Sequence, residues 1–131
     1  MSASSLSRRV MDRHLDRTRV LAQVRRGERS RSSILDATPS LIASAEVLGE
    51  SIDADCPVCG QQNLRLTRWI HGQWLGEKSG TARNVTEIQK LIEDFAALET
   101  GADAELSIHT VEVCLHCKWN FLTQHEVLTL R

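Results

Sequence analysis

Aromatic rings are scarce in this sequence: there is no tyrosine, and three tryptophans with two phenylalanines make up 4% of 131 residues. A core must rest mainly on Leu, Val, Ile and Ala within the 41% of residues that are apolar. Burial stabilises so small a core only modestly, and small folds often add a metal or disulfides. No apolar run approaches the roughly 18–20 residues that span a bilayer. The opening stretch MSASSLSRRVMDRH has no apolar segment behind its arginines, which argues against a secretory signal. These absences lead to the expectation of a soluble, cytoplasmic protein of one domain or two very small ones.

Catalytic and nucleotide signatures are missing as well. There is no HExxH, and no pattern of one histidine with two cysteines and a glutamate, so a catalytic zinc site lacks support. Gly72, Gly76 and Gly80 punctuate a loop, but no GK[ST] follows and no strand–loop–helix order suits a phosphate. The expectation is a protein that is not an enzyme and has no small-molecule substrate.

Charge is present but unevenly placed. Residues 1–31 hold nine arginines against Asp12, Asp16 and Glu28, whereas residues 32–131 hold seven basic and fourteen acidic side chains. Such polarity points to one end that meets an anionic surface, although a solvated arginine-rich helix has the same composition. Arg8, Arg9, Arg13 and Arg17 are the candidate partner-binding arginines.

All four cysteines lie in two short knuckles, Cys56-Pro57-Val58-Cys59-Gly60 and Cys114-Leu115-His116-Cys117. Two cysteines spaced by two residues clamp one edge of a tetrahedron from a single turn, and thiolate is a favoured structural zinc ligand. Gly60 lets the backbone turn so that amides face the sulfurs. Two pairs close the coordination sphere. The interval between them is longer than in most such sites, which costs little closure entropy provided the excursion is folded. Disulfides do not suit a cytosolic chain. A thiol-redox pair lacks a thioredoxin-like βαβ setting. An iron–sulfur cluster would use the same four thiolates, and sequence alone does not separate it from zinc.

Hydrophobic spacing gives the elements. Val10, His14, Arg17 or Thr18, Leu21 and Val24 predict a helix over residues 6–26 stopped by Gly27. A short helix is expected over Ser30–Ala37. Thr38-Pro39 starts another that carries Leu41, Ile42, Ala45 and Leu48 and ends at Gly49. Residues 1–50 are thus expected to form an arginine-rich helical hairpin. Residues 51–131 are expected to form a zinc ribbon, a small antiparallel sheet with helix 84–100 inserted between the knuckles. Its strands are Leu64–His71, Glu105–Val113 and Trp119–Leu130, and Asn84 with Glu87 makes the capping box of the helix, which ends at Gly101. The fold class is α+β.

Remaining residues are weighed singly. His14, His71, His109 and His125 show no spacing relation and are read as structural or solvent-exposed, and His116 as an exposed knuckle residue. Trp69 and Trp119, on strands, are expected in the core. Trp74, in a loop with Gln73, Lys78 and Arg83 nearby, is a candidate partner contact, or else a lid packed back on the sheet. The helix Ser40–Leu48 has no Arg, Lys, Asn or Gln to read bases, so specific DNA binding through it is weakly supported.

From CPVCG through the tryptophan-bearing strand and glycine loop to EVCxxCxWN, the chain resembles a family of small uncharacterised zinc-ribbon proteins of actinobacteria. Ile34-Leu35-Asp36-Ala37-Thr38-Pro39 fits the same family, and the likeness covers residues 15–130. The matching positions are Cys56, Cys59, Cys114 and Cys117, with Trp69, Gly80, Arg83, Trp119 and Asn120. The resemblance implies four cysteine ligands and an actinobacterial cytoplasm, and carries no activity. Zinc ribbons are similar to parts of the transcription and translation machinery, a fold-level analogy. The leading expectation is a non-catalytic accessory protein that binds RNA polymerase or another transcription complex. The rivals are a ribosome- or RNA-associated protein using the same arginines on phosphates, and a thiol-redox protein using one CxxC pair.

Overall fold

In the computed structural model, residues 6–98 and 104–130 are described. The chain runs β1 (Ser7–Asp12), α1 (His14–Arg25), a 3-10 turn (Arg31–Ser33), α2 (Pro39–Leu48) and β2 (Glu50–Ser51). Then follow β3 (Leu64–His71), a 3-10 segment (Gln73–Lys78), β4 (Thr81–Arg83), α3 (Val85–Ala96), β5 (Ala104–Cys114) and β6 (Asn120–Leu130). The strands form one six-stranded sheet in the order β1-β6-β5-β3-β2, with β4 also paired to β3. Every pairing is antiparallel. The class is α+β, as expected.

Because side chains alternate along a strand, the register decides what each face carries. Ile70 opposite Ile108, and Leu64 opposite Cys114, mark one face, whereas Thr67 opposite Val111 and Trp69 opposite His109 mark the other. On the first face Ile70, Leu106, Ile108 and Leu128 pack with Ile88 and Phe95 of α3. Full burial of residues of this size stabilises by about 1.5–3 kcal/mol each. Leu21 of α1 joins the same face further along, against Leu64, Cys114 and Trp119. On the second face Ala45 of α2 packs on Val113, with Leu41, Ile42 and Val111 around it.

Local signals account for the helices that sequence located well. Thr38 caps α2 by accepting a bond from the Leu41 amide at 3.2 Å, and Pro39 follows in the first turn. Gly49 ends it for a packing reason: a Cβ there would stand 2.2 Å from the Ala45 carbonyl oxygen. Asn84 and Glu87 form the reciprocal capping box of α3, at 2.8 and 3.1 Å. Its expected stop at Gly101 lies outside the described residues, and α3 is already over at Ala96.

Four expectations need correction. The helix over residues 6–26 is a strand followed by a shorter helix, since Ser7–Asp12 pairs with β6 from Ser7↔Thr129 to Asp12↔Gln124. A helical stripe in sequence loses here to the open edge of β6, whose backbone groups need partners. The strand ends where β6 bulges. Thr123 is the extra residue between the pairs Thr110↔Gln124 and Val111↔Leu122, and its carbonyl accepts the Arg13 amide at 2.8 Å. Asp12 then accepts from the His14 amide at 2.8 Å, and α1 follows with Arg13 at its N-cap position. Second, α1 and α2 lie on opposite faces of the sheet, so they are not a hairpin. Third, residue 50 does not divide the chain: β1 pairs with β6, and Glu50–Ser51 pairs with Leu66 and Arg65 of β3. The short helix expected over Ser30–Ala37 reduces to the 3-10 turn Arg31–Ser33.

Candidate metal centre

The first knuckle leads into β3, and the second joins β5 to β6. Each turns in the same way. The Gly60 amide donates to the Cys56 carbonyl at 3.0 Å, and the Lys118 amide donates to the Cys114 carbonyl at 3.1 Å. Gly60 takes φ 79° and Lys118 takes φ 72°, so a lysine occupies in one knuckle the left-handed position that glycine occupies in the other. The Val58 amide donates to Cys56 Sγ at 3.4 Å and the Cys117 amide to Cys114 Sγ at 3.5 Å. The Leu115 amide donates to the Asn63 carbonyl at 3.0 Å and ties the knuckles together.

This geometry brings the four sulfurs within 4.8 Å of one another. Cys56 to Cys117 and Cys59 to Cys114 are each 3.7 Å apart. A tetrahedral metal with bonds to sulfur of about 2.3 Å sets its ligands about 3.8 Å apart. The donor set therefore fits a metal ion, and it is the one such cluster found among the described residues. Cys56 and Cys114 are buried, Cys59 and Cys117 half-buried, and His116 is exposed beside them. Burial pushes the Cys56 and Cys117 thiols above the ordinary value. At Cys59 burial also acts upward, but the Gln61 amide and hydrogen bonds to the other three cysteines outweigh it and hold the thiol down. Crowded thiolates repel, and a divalent cation among them relieves that cost while releasing protons.

A wall of side chains closes over the cysteines. Leu21, Ile34, Leu64 and Trp119 pack directly, with Val20, Val24, Val58 and Phe121 around them. Trp119 is fully buried and donates through Nε1 to Glu112 Oε2 at 2.6 Å. The same carboxylate takes Arg17 Nη2 at 2.9 Å, and the guanidinium lies 5.9 Å from the Trp119 ring. Sequence reading missed Glu112. Its only signal was a charged residue at an inward position of a strand.

The candidate partner-binding residues do not share one surface. Arg17 is turned inward on Glu112. Arg8 pairs with buried Glu126, and Arg13 lies over the Phe121 ring at 5.3 Å and bonds Asp16 at 3.3 Å. Arg9 is exposed on β1, opposite Val127 and on the other face from Arg8. Trp74 is half-buried and meets Phe95 edge-on, with ring centroids 5.3 Å apart. It is packed against the main core as a lid. Trp74→Ala is expected to lower stability by about 1–3 kcal/mol, less than a fully buried ring costs. A melting curve within error of wild type would restore it as a free contact.

Trp69, expected in the core, is only half-buried, and its Nε1 is buried without a hydrogen-bond partner. Beside it stands a row of histidines that sequence spacing did not reveal. His109 lies 4.6 Å from His71 and 4.3 Å from His125, ring centroid to centroid. Burial depresses the His109 pKa, and the fields of His125 and His71 add to the effect. A depressed folded value means that the unfolded chain binds the proton better, so stability falls as pH drops below about 6.5 and towards the folded pKa. His109→Gln is expected to flatten that acid limb in pH-dependent melts, and an unchanged limb would refute the assignment.

Among the described residues no helix is long and apolar enough to cross a membrane. Comparison with known proteins adds relatives. An uncharacterized protein of Mycobacterium bovis and two from strains of Mycobacterium tuberculosis are each 36% identical over 118 residues, covering 90% of this chain and 80% of the relative. No solved structure matches the chain. Residues 4–131 match a family of unknown function, DUF5318, and the chain belongs to it.

Proposed function

We propose that Cys56, Cys59, Cys114 and Cys117 hold one zinc ion as a closed structural site, and that the protein is a non-catalytic docking protein of the cytoplasm. The single observation that carries the reading is the paired 3.7 Å sulfur spacing inside a packed apolar wall. Four thiolates fill a tetrahedral sphere and leave no coordination position for water or substrate. Zinc suits this soft, tetrahedral donor set.

The docking surface is the arginine run of α1 and the turn after it. Arg19, Arg25, Arg26, Arg29 and Arg31 are all exposed. They join Arg8, Arg9 and Arg13 as candidate contacts, whereas Arg17 is turned inward on Glu112. Such a surface suits an acidic face of a large assembly, and RNA polymerase is the partner proposed, by analogy with other zinc ribbons. Affinity purification of the tagged protein from its own cells, with and without nuclease, tests this. Polymerase subunits should be recovered in both arms and lost on Arg19→Glu with Arg29→Glu. Recovery abolished by nuclease would instead support the RNA-associated reading.

A further inference from the structure

We infer that the hollow between the end of α1 and the first knuckle is a docking pocket for an acidic peptide segment with one large apolar side chain at its centre. This deepens the docking function proposed above by naming the partner's chemistry, and it rests on that reading.

The hollow has a volume of about 170 Å³ and is lined by Leu21, Val24, Ile34, Pro57 and Val58, with Arg25 and Arg31 at its edge. Three elements build it. Leu21 and Val24 lie one turn apart on α1 and so point the same way. Ile34 follows the 3-10 turn Arg31–Ser33, and Pro57 with Val58 are the two residues between Cys56 and Cys59. Cys56 and Cys59, the proposed metal ligands, bracket these two residues, and the Gly60 amide bonds the Cys56 carbonyl, so this wall is held at both ends. A preformed pocket costs little ordering on binding.

The charges select the partner. Both guanidinium groups are exposed, and among the described residues neither has a carboxylate partner. Their neighbours differ: Arg19 is paired with Asp16, Arg26 with Glu28, and Arg29 bonds Gln23. Two unpaired guanidiniums in the lining of an aliphatic hollow complement carboxylates close to an apolar anchor. Nucleic acid is the poorer occupant. The lining has no aromatic ring for a base to stack on and no amide to read a base edge.

Selection of random twelve-residue peptides on purified, zinc-loaded full-length protein is the test, with the Arg25→Glu, Arg31→Glu double variant as the subtracted control. Both positions are exposed, so the variant should keep the wild-type melt, and that melt is measured alongside. The expected result is a consensus of Asp or Glu within a few positions of one Leu, Ile, Met or Phe. A synthetic peptide of that consensus should lose at least tenfold in affinity when its apolar residue becomes Ser, and at least tenfold on the double variant. No consensus, a consensus without acidic residues, or equal binding by the Ser peptide would overturn the pocket. So would tighter binding of a single-stranded RNA oligonucleotide that the double variant also loses. Because the selection uses purified protein alone, its failure is separate from failure to recover polymerase from cells.

Discussion

Cys56→Ser is expected to unfold the knuckle end of the sheet, and a strong chelator applied to the wild type should do the same. The argument starts from magnitudes. Structural zinc binding in small domains contributes about 10–16 kcal/mol of apparent free energy at neutral pH, and whole domains are stable by only about 5–15 kcal/mol. Loss of one thiolate therefore removes an amount comparable with the total stability. Cys56 is one of the two buried cysteines, and its sulfur also takes the Val58 amide, so the damage is to the turn as well as to the metal. Leu21, Ile34, Leu64 and Trp119 pack around the same sulfurs and would lose their common support. Circular dichroism melts and metal content by mass spectrometry decide it. One zinc per wild-type chain with a large fall in melting temperature for the variant is the expected pair of results. A variant that melts like the wild type would show that the apolar wall suffices and that the metal is dispensable to the fold.

What the sequence disclosed was mainly what short spacing encodes. The knuckles, the capping box at Asn84 and Glu87, the start of α2 at Thr38-Pro39 and the limits of β3 each depend on residues within a few positions of one another. The strand β1 was hidden because Val10, His14 and Leu21 also satisfy a helical period. Only the unpaired edge of β6, more than a hundred residues later, decides between the two states. The N-cap position of α1 is Arg13, which accepts no side-chain capping bond, so no local start signal competed with the longer helical stripe. The histidine row is a property of register. His71, His109 and His125 meet because β3, β5 and β6 are aligned as they are, and a shift of one residue would turn each to the opposite face. Trp74, read as a loop residue, lies in the 3-10 segment Gln73–Lys78, and its contact with Phe95 depends on where α3 lies on the sheet.

The arginines show the same division with a larger energetic consequence, because Arg17 and Glu112 are ninety-five residues apart in sequence and 2.9 Å apart in space. Arg17→Ala is expected to lower stability by about 3–5 kcal/mol, the usual result of removing one partner of a buried ion pair. The size follows from burial: the Glu112 side chain is 8% exposed and that of Arg17 is 22% exposed, so neither charge is well screened. Once Arg17 is removed, Glu112 keeps, among the described residues, only the Trp119 indole N–H at 2.6 Å, in the wall that closes over the four cysteines. Glu112→Gln should cost less, about 1.5–3 kcal/mol, since a neutral acceptor still serves the indole while the charge-assisted bond to Arg17 is lost. Replacing both residues by methionine should recover most of the Arg17→Ala loss, because apolar pairs often substitute for buried ion pairs. It should not recover all of it, for the indole N–H would then be buried without an acceptor, at about 1–3 kcal/mol. Urea melts of the three variants complete the test. An Arg17→Ala cost below about 1 kcal/mol, the range of exposed pairs, would mean that Arg17 is solvated, and it would return to the docking surface from which its burial has removed it.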